Sequence, residues 1–378
     1  MSAELSMISP DPADAEFEAE LRSFMRAEIP RETRQTVMAH GRIGRDAQIA
    51  WQSKLVRAGY ACPGWPSEHG GPGWTPMQRH IFDVVSAEEG APPAIRFGED
   101  MIAPILFEIG TKAQKTAWLP RIRTLDAWFC QGFSEPGAGS DLAALTSRAV
   151  PDGDGWVVNG AKIWTTSAHL ANMIFCLLRT DPTAERKQAG ISMFVFPMDL
   201  PGITVRPIRT IDGGAVFNEV IFDNVRIAGD ALIGEANKGW EYARLLLGHE
   251  RAGHARIGQS RRELARLKAL AGSDMDIASI EIELRALEVS VLRHLNGDKR
   301  FARTGPNLLK LRGNEIQQRI ARRLLDVMGP EGLAFAGDHS LPEAAGAPAS
   351  NYLFSRSASI LGGSDEIQRG ILARALGM

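Results

Sequence analysis

The sequence changes texture twice, and the order of those changes limits the fold more than any other feature. Helical periodicity runs to about residue 128, short strands broken by turns follow to about 230, and helical periodicity then returns. Doubly wound nucleotide-binding folds need strands alternating with crossover helices, and no GxGxxG follows a predicted strand here. The order instead predicts an α+β chain. It divides into an N-terminal helical domain over 1–128, a β-barrel or sandwich over 129–230 and a C-terminal four-helix bundle over 231–378. Any nucleotide cofactor must then be held without a Rossmann unit.

In the first region, residues 15–29 carry Phe17, Leu21, Phe24 and Met25 at helical spacing, and 77–89 carry Ile81, Val84 and Val85. The Pro/Gly-rich stretch 62–74 reads as loop, and 112–120 as a helix that Pro120 closes. In the second region, 156–158, Asn159-Gly160 and 162–165 read as a hairpin, because Asn-Gly supplies the positive φ angles of a type I′ turn. Strands follow at 173–178, 191–196, 203–205 and 219–222. In the third region, 239–268 reads as one long helix, then 282–303 and 307–328. The last helix, 364–376, opens with a capping Ser and two acidic residues.

Composition excludes several function classes. The net charge is −2, which leaves neither a basic footprint for nucleic acid nor an acidic tail. Apolar stretches such as 173–178 fall far short of the ~18 residues a membrane span needs. The opening 21 residues are acidic, with no signal-peptide or transit-peptide character. Three cysteines without a CxxC make neither a disulfide framework nor a zinc site. These features read as a soluble cytoplasmic protein.

Chemistry concentrates at 131–141, QGFSEPGAGSD, where Gly137 and Gly139 allow a ligand to approach the backbone closely. Alone, the segment is a Gly/Ser/Pro loop. Three further stretches accompany it in order: Asn159-Gly160-x-Lys162-x-Trp164-x-Thr166, Phe222-Asp223-x-Val225, and GGSDEIQR at 362–369. Together they resemble the acyl-CoA dehydrogenase family, and the resemblance covers essentially the whole chain.

The resemblance implies bound FAD and an acyl-CoA substrate. Phe133 and Ser134 would meet the flavin pyrimidine edge, with Gln131 and Gly139 in the same cofactor-binding loop. Ser140 would lie near the flavin phosphates and the thioester arm, Trp164 beside the isoalloxazine and Thr166 near N5. Ser364 and Glu366 would contact the nucleotide part of FAD at a helix N-terminus, a natural anion site, and Arg251 and Gly363 the substrate. The alternatives to these roles are a core aromatic on a strand for Trp164 and an ordinary strand threonine for Thr166.

The family reaction removes the α-proton of an acyl-CoA with a carboxylate while hydride leaves the β-carbon for flavin N5. Most members place that carboxylate near the C-terminus, where this chain has Gly362. Isovaleryl-CoA and long-chain acyl-CoA dehydrogenases resemble this sequence in carrying the Glu on the first long helix after the β domain, before an Arg; here that is Glu250-Arg251. Ala243, Leu246, Leu247, Glu250, Gly253 and Ile257 share a helical face, so Glu250 falls on an apolar stripe where desolvation raises a carboxyl pKa. A structural Glu paired with Arg251 or Arg244 fits the same pattern. Glu135, in the flavin loop, reads as structural.

Two family elements that serve a neighbouring subunit's FAD are eroded. An Arg-x-x-Phe-Gly stretch is missing from 261–276, and Gln-x-x-Gly-Gly-x-Gly appears as Asp326-Val-Met-Gly329-Pro-Glu-Gly332. That asymmetry resembles heterotetrameric dehydrogenases of bacterial steroid side-chain breakdown. It implies a tetramer, homomeric or α2β2 with an unlike chain, and an electron-transfer flavoprotein as acceptor. Competing readings are a flavin oxidase or monooxygenase on the same fold, and a non-catalytic partner subunit.

Overall fold

The computed structural model describes residues 11–253, 255–299, 304–335 and 347–378, and for 247–253 the backbone alone. The chain forms two compact units. A helical unit takes the residues up to Ala94, Ile211–Gly213 and those from Glu250 onward; a sheet unit takes Ile95–Thr210 and Gly214–His249.

The described residues open with α1 (Pro12–Glu28), α2 (Arg31–Met38), α3 (Arg45–Ala58) and α4 (Pro76–Glu88), all in the helical unit. Asp11 caps α1, accepting from the Ala13 N–H at 3.1 Å, and Thr75 and Gln78 form a reciprocal capping box at the start of α4. A π-helical turn, Phe97–Ile102, begins the sheet unit, followed by α5 (Ala103–Ile109) and α6 (Lys112–Thr124). Pro120 does not close α6. The helix continues for another turn because Leu119 and Ile122 are buried on either side, which offsets the one lost backbone hydrogen bond.

Eight strands make one sheet: β1 (Phe129–Gly132), β2 (Arg148–Asp152), β3 (Gly155–Thr166), β4 (Met173–Arg179), β5 (Ile191–Pro197), β6 (Ile203–Ile208), β7 (Phe217–Ala228) and β8 (Leu232–Ile233). The spatial order is β6-β7-β3-β2-β4-β5-β8, with β1 parallel to β4. The apolar run of β4 and the run of β5, broken only by the buried Ser192, are buried on both faces.

The expected hairpin at Asn159-Gly160 is instead the middle of the continuous strand β3. The turn sits earlier, at Gly153 (φ +63), between β2 and β3. Asn159 pairs with Arg148 on β2, and its side-chain oxygen accepts from the Asn224 N–H on β7 at 2.9 Å, so neighbours on both sides keep the chain extended. Gly160 marks a bulge (φ +143), and a Cβ there would lie 2.3 Å from Ser147 Oγ. Glycine is needed for close approach, not for chain reversal.

Next come α7 (Gly239–Gly253), whose residues divide between the two units at Glu250, α8 (Ile257–Ala271), α9 (Met275–Leu295), α10 (Gly305–Met328), α11 (Pro348–Ser355) and α12 (Asp365–Leu376). The single long helix expected over 239–268 is broken before α8. There the backbone is squeezed between two helices: a Cβ on Gly258 would lie 2.8 Å from Val84 Cα of α4, and one on Gly313 of α10 would lie 2.9 Å from Ala255 Cα. Arg256 turns left-handed (φ +47) to make the passage. The helix expected over 282–303 starts earlier, capped by Asp274, and ends at Leu295; residues 300–303 lie outside the described residues.

Val84, Leu264, Leu267, Ile280, Leu284, Leu287, Leu309, Ile316 and Ile320 form the core of the helical unit. A charged seam borders it, in which Arg261 reaches Glu88 (3.0 Å) and Glu288 (3.1 Å), and Glu288 also meets His80 at 3.0 Å. Residues 211–213 join this unit because Arg42 donates to the Asp212 carboxylate at 2.9 Å and Ser350 to its carbonyl at 3.2 Å. All three cysteines are buried, and none of them forms a disulfide. Among the described residues no His/Cys/Asp/Glu group suits a metal, and no helix is long and apolar enough to cross a membrane.

Candidate active site

In the sheet unit, β1 runs directly into the loop over 133–141. Glu135 and Ala138 exchange backbone hydrogen bonds at 3.0 Å, which fold the loop back on itself. The Glu135 carboxylate is buried and fully occupied. It accepts from Thr146 N–H (2.6 Å), Thr146 Oγ1 (3.0 Å), Ser147 N–H (3.0 Å) and Lys162 Nζ (2.7 Å). Burial alone would raise its pKa, but the Lys162 charge and the two N–H donors hold it below the usual carboxylate range. Lys162 is fully buried on β3 and also donates to the carbonyls of Leu177 (2.7 Å) and Phe133 (3.3 Å). The Ser134 carbonyl accepts from Ile163 N–H at 2.9 Å. Glu135 is thus the anchor of the loop, in the structural role its sequence context suggested.

This anchoring presents the predicted cofactor residues in different ways. Phe133 is buried, edge-on to Phe175 at 5.6 Å. Gln131 Nε2 is buried and has no hydrogen-bond partner among the described residues. Gly139 and Ser140 are exposed, and a Cβ on Gly137 or Gly139 would meet nothing within 4 Å. Trp164 is not a core aromatic. It sits on a second bulge of β3 at φ +61, with half its surface (52 %) exposed and its ring edge-on to Phe217 at 6.2 Å. A non-glycine residue with positive φ and an exposed indole is a local cost that folding of the unit does not explain. Thr166 is half-buried at the end of the strand, where Asn218 Nδ2 holds the neighbouring Thr165 carbonyl at 2.9 Å.

In the helical unit, Gly362 (φ +64) and Gly363 (φ +85) precede α12, and Ser364 caps it. Gly363 is exposed and Ser364 half-buried. The exposed Glu366 carboxyl lies below its ordinary range because its own N–H and the Ser364 hydroxyl donate to it. Beneath this turn lies a polar ladder that the sequence reading missed. Lys310, fully buried on α10, donates to the Gly363 carbonyl at 2.6 Å, and Gln368 Nε2 to the carbonyls of Gly362 (3.1 Å) and Gly363 (3.2 Å). Asn314 holds Asp365 (3.0 Å) and the Ala358 carbonyl (2.9 Å), while Asn307 bonds Gln368. The available signal was Asn307, Lys310 and Asn314 recurring at helical spacing among Leu308, Leu309 and Leu311 of α10.

The backbone of Glu250 and Arg251 belongs to α7; their side chains lie outside the described residues. By helical register Glu250 follows the buried Ala243 by seven positions and the buried Leu246 by four. The arginines of the eroded stretch are engaged within this chain. Arg261 binds Glu88 and Glu288, Arg262 binds Glu263 at 2.9 Å, and Arg266 binds Glu263 at 3.1 Å. Arg322 likewise pairs with Asp326 at 3.0 Å.

Known proteins share this arrangement over its whole length. The acyl-CoA dehydrogenase N-terminal, middle and C-terminal domain models match residues 11–126, 130–225 and 237–377. Acyl-CoA dehydrogenase IpdE1 of Mycobacterium tuberculosis is 37% identical over 382 residues, covering 96% of this chain and 97% of that protein. The solved Tcur3481-Tcur3483 steroid ACAD superposes with a TM-score of 0.88 at 29% identity, covering 98% of each chain. The ChsE4-ChsE5 complex of Mycobacterium tuberculosis does so with a TM-score of 0.84 at 27% identity, over 98% of this chain and 99% of that one. Helical ends around a middle sheet, the glycine loop welded at Glu135 and full-length kinship lead to one statement: this chain belongs to the acyl-CoA dehydrogenase family.

Proposed function

We propose that the chain catalyses FAD-dependent α,β-dehydrogenation of an acyl-CoA thioester to a trans-2-enoyl-CoA, with Glu250 as the base. The observation that carries this reading is the contrast between a fully built flavin loop and a C-terminal turn with no carboxylate at Gly362. The residues suit FAD on two grounds. Gln131 Nε2 is a buried donor with no partner among the described residues, and Trp164 offers an exposed aromatic face on a strained bulge. A flat, hydrogen-bonding ring system satisfies both.

Gln131, Phe133, Ser134, Gly139, Ser140, Trp164 and Thr166 would hold the flavin end, and Ser364 and Glu366 its nucleotide end. When bound, FAD supplies the acceptor for the hydride that leaves the β-carbon. Ser140, Arg251 and Gly363 would orient the thioester. Glu250 takes the α-proton onto its carboxylate, and its register on the apolar stripe of α7 favours a raised proton affinity. The named kinship to a steroid ACAD supports a bulky, steroid-derived acyl group. Kinship to two-chain complexes, together with the eroded elements, supports an α2β2 assembly with an unlike chain. We assign a cytoplasmic location and an electron-transfer flavoprotein as acceptor.

The test is a visible spectrum of the purified chain, alone and with candidate partner chains, followed by anaerobic addition of acyl-CoAs. The expected result is a flavin spectrum that bleaches with a bulky acyl-CoA. A colourless protein that no partner reconstitutes, or a flavin that no acyl-CoA reduces, would overturn the reading.

A further inference from the structure

The buried ladder under the Gly362–Ser364 turn does more than fasten a loop. In a trans peptide the carbonyl and the next N–H point to opposite sides, and the chain contains no cis bond among its described residues. The Gly362 carbonyl is bound by Gln368 of α12, so the Gly363 N–H faces away from that side chain. Lys310 and Gln368 bind the Gly363 carbonyl, so the Ser364 N–H faces away as well. Neither N–H meets an acceptor among the described residues. The carboxylate of Glu366 is taken up by its own N–H and the Ser364 hydroxyl. Positive φ at both Gly362 and Gly363 makes this a tight turn, a setting in which successive N–H groups can serve one anion.

We propose that Lys310 is a positioning residue, which by holding the Gly363 carbonyl on the buried side aims the Gly363 and Ser364 N–H groups outward as a paired donor for an anionic oxygen. A neutral amide already serves this carbonyl through Gln368, so anchoring alone does not require a charge at a fully buried position. An ammonium adds polarisation: a positive charge on a peptide oxygen makes the following N–H a stronger donor. Asp365, 3.6 Å from Lys310 Nζ and itself held by Asn314, keeps the buried charge compensated. The oxygen has two possible sources, a phosphate of FAD or the thioester carbonyl of the substrate, where negative charge develops as the α-proton leaves. The second source rests on the dehydrogenase reading above; the first does not.

The experiment compares the full chain, with its partner where one is needed, carrying Lys310→Met, Gln368→Leu or both. Three quantities are measured: FAD affinity of the apoprotein by fluorescence quenching, the single-turnover rate of flavin reduction at saturating acyl-CoA, and thermal unfolding. If the oxygen is a flavin phosphate, Lys310→Met weakens FAD binding by about 100-fold and leaves the reduction rate of the saturated protein unchanged. If it is the thioester oxygen, the reduction rate falls by about 100-fold while FAD affinity holds. In either case the double variant loses less than the product of the single losses, because both act through one carbonyl. Should Lys310→Met fail to fold, Gln368→Leu reads the same carbonyl. The proposal is overturned if folded variants keep FAD affinity and reduction rate within about twofold of wild type while only the unfolding temperature falls. A wild type that binds FAD but is reduced by no acyl-CoA removes the dehydrogenase reading and the thioester source together, and the FAD titration then decides the proposal alone.

Discussion

Two glycine-rich turns, one in each compact unit, are each fastened by a fully buried lysine, but by different physics. In the sheet unit the loop brings its own acid: Glu135 meets Lys162 at 2.7 Å and saturates its other lone pairs on Thr146 and Ser147. In the helical unit the turn brings only carbonyls: Lys310 meets Gly363 O at 2.6 Å, and its acid, Asp365, stands back at 3.6 Å. The first turn is held by an ion pair and displays side chains such as Ser134 and Ser140. The second is held by its backbone and displays backbone, since Gly362 and Gly363 have no side chains to offer. The lesson is that a turn with no carboxylate at residue 362 suits positioning rather than proton transfer, so on the dehydrogenase reading proposed above the base comes from another element.

The sharpest consequence concerns that base. Glu250→Gln keeps shape and removes the proton acceptor, so flavin reduction by acyl-CoA should slow by about 10²–10⁴-fold with FAD binding unchanged, measured by anaerobic stopped-flow. A wild-type rate would assign proton transfer to another residue of this chain or to a partner chain. Next in size is Lys162→Met. It strands the Glu135 carboxylate in the sheet interior and should cost about 3–5 kcal/mol in urea unfolding, with part recovered by adding Glu135→Gln. If Lys310→Met costs as much stability as Lys162→Met, the distinction between charge-held and carbonyl-held turns collapses.

A smaller effect concerns the acid sensitivity of the helical unit. Burial alone would raise the Glu288 pKa, but His80 and Arg261 hold it at about 2, below its ordinary value of 4.5. A depressed folded value means stability that is fully present above about pH 4.5 and lost as pH falls towards 2. The helical unit should therefore lose about 2–3 kcal/mol across that window, and Glu288→Gln should flatten the loss, measured by denaturant unfolding at a series of pH values. The smallest expected effect is Gly139→Ala. Its Cβ enters open space, so stability should stay within about 0.5 kcal/mol, while FAD affinity should fall if the cofactor closes on the backbone there. Unchanged affinity would show that the loop meets its ligand through side chains alone.

Much of this was legible in one dimension because it depends on residues close in sequence. Capping pairs such as Thr75 with Gln78, the cap at Ser364, the buried runs of β4 and β5 and the α, β, α order are all local or periodic. The errors fall where distant backbones crowd one another. Asn159-Gly160 carries the signature of a hairpin, yet β2 and β7 flank it and turn it into a bulge. Residues 239–268 carry one helical period, yet α4 and α10 leave no room for a straight helix at Gly258. Pro120 reads as a stop, yet burial of Leu119 and Ile122 outweighs one missing hydrogen bond.

By itself, the sequence determined the fold class, the place of the glycine loops and the absence of a carboxylate at residue 362, since these are properties of composition, periodicity and spacing. Tertiary structure alone decided that Trp164 stands exposed on a bulge, that Glu135 is spent on Lys162, and that Lys310 lies beneath a turn 53 residues further along the chain. The physical reason is that burial and hydrogen-bond partnership are set by which segments meet in space. A lysine in a helical stretch looks solvated until another segment covers it with carbonyl oxygens.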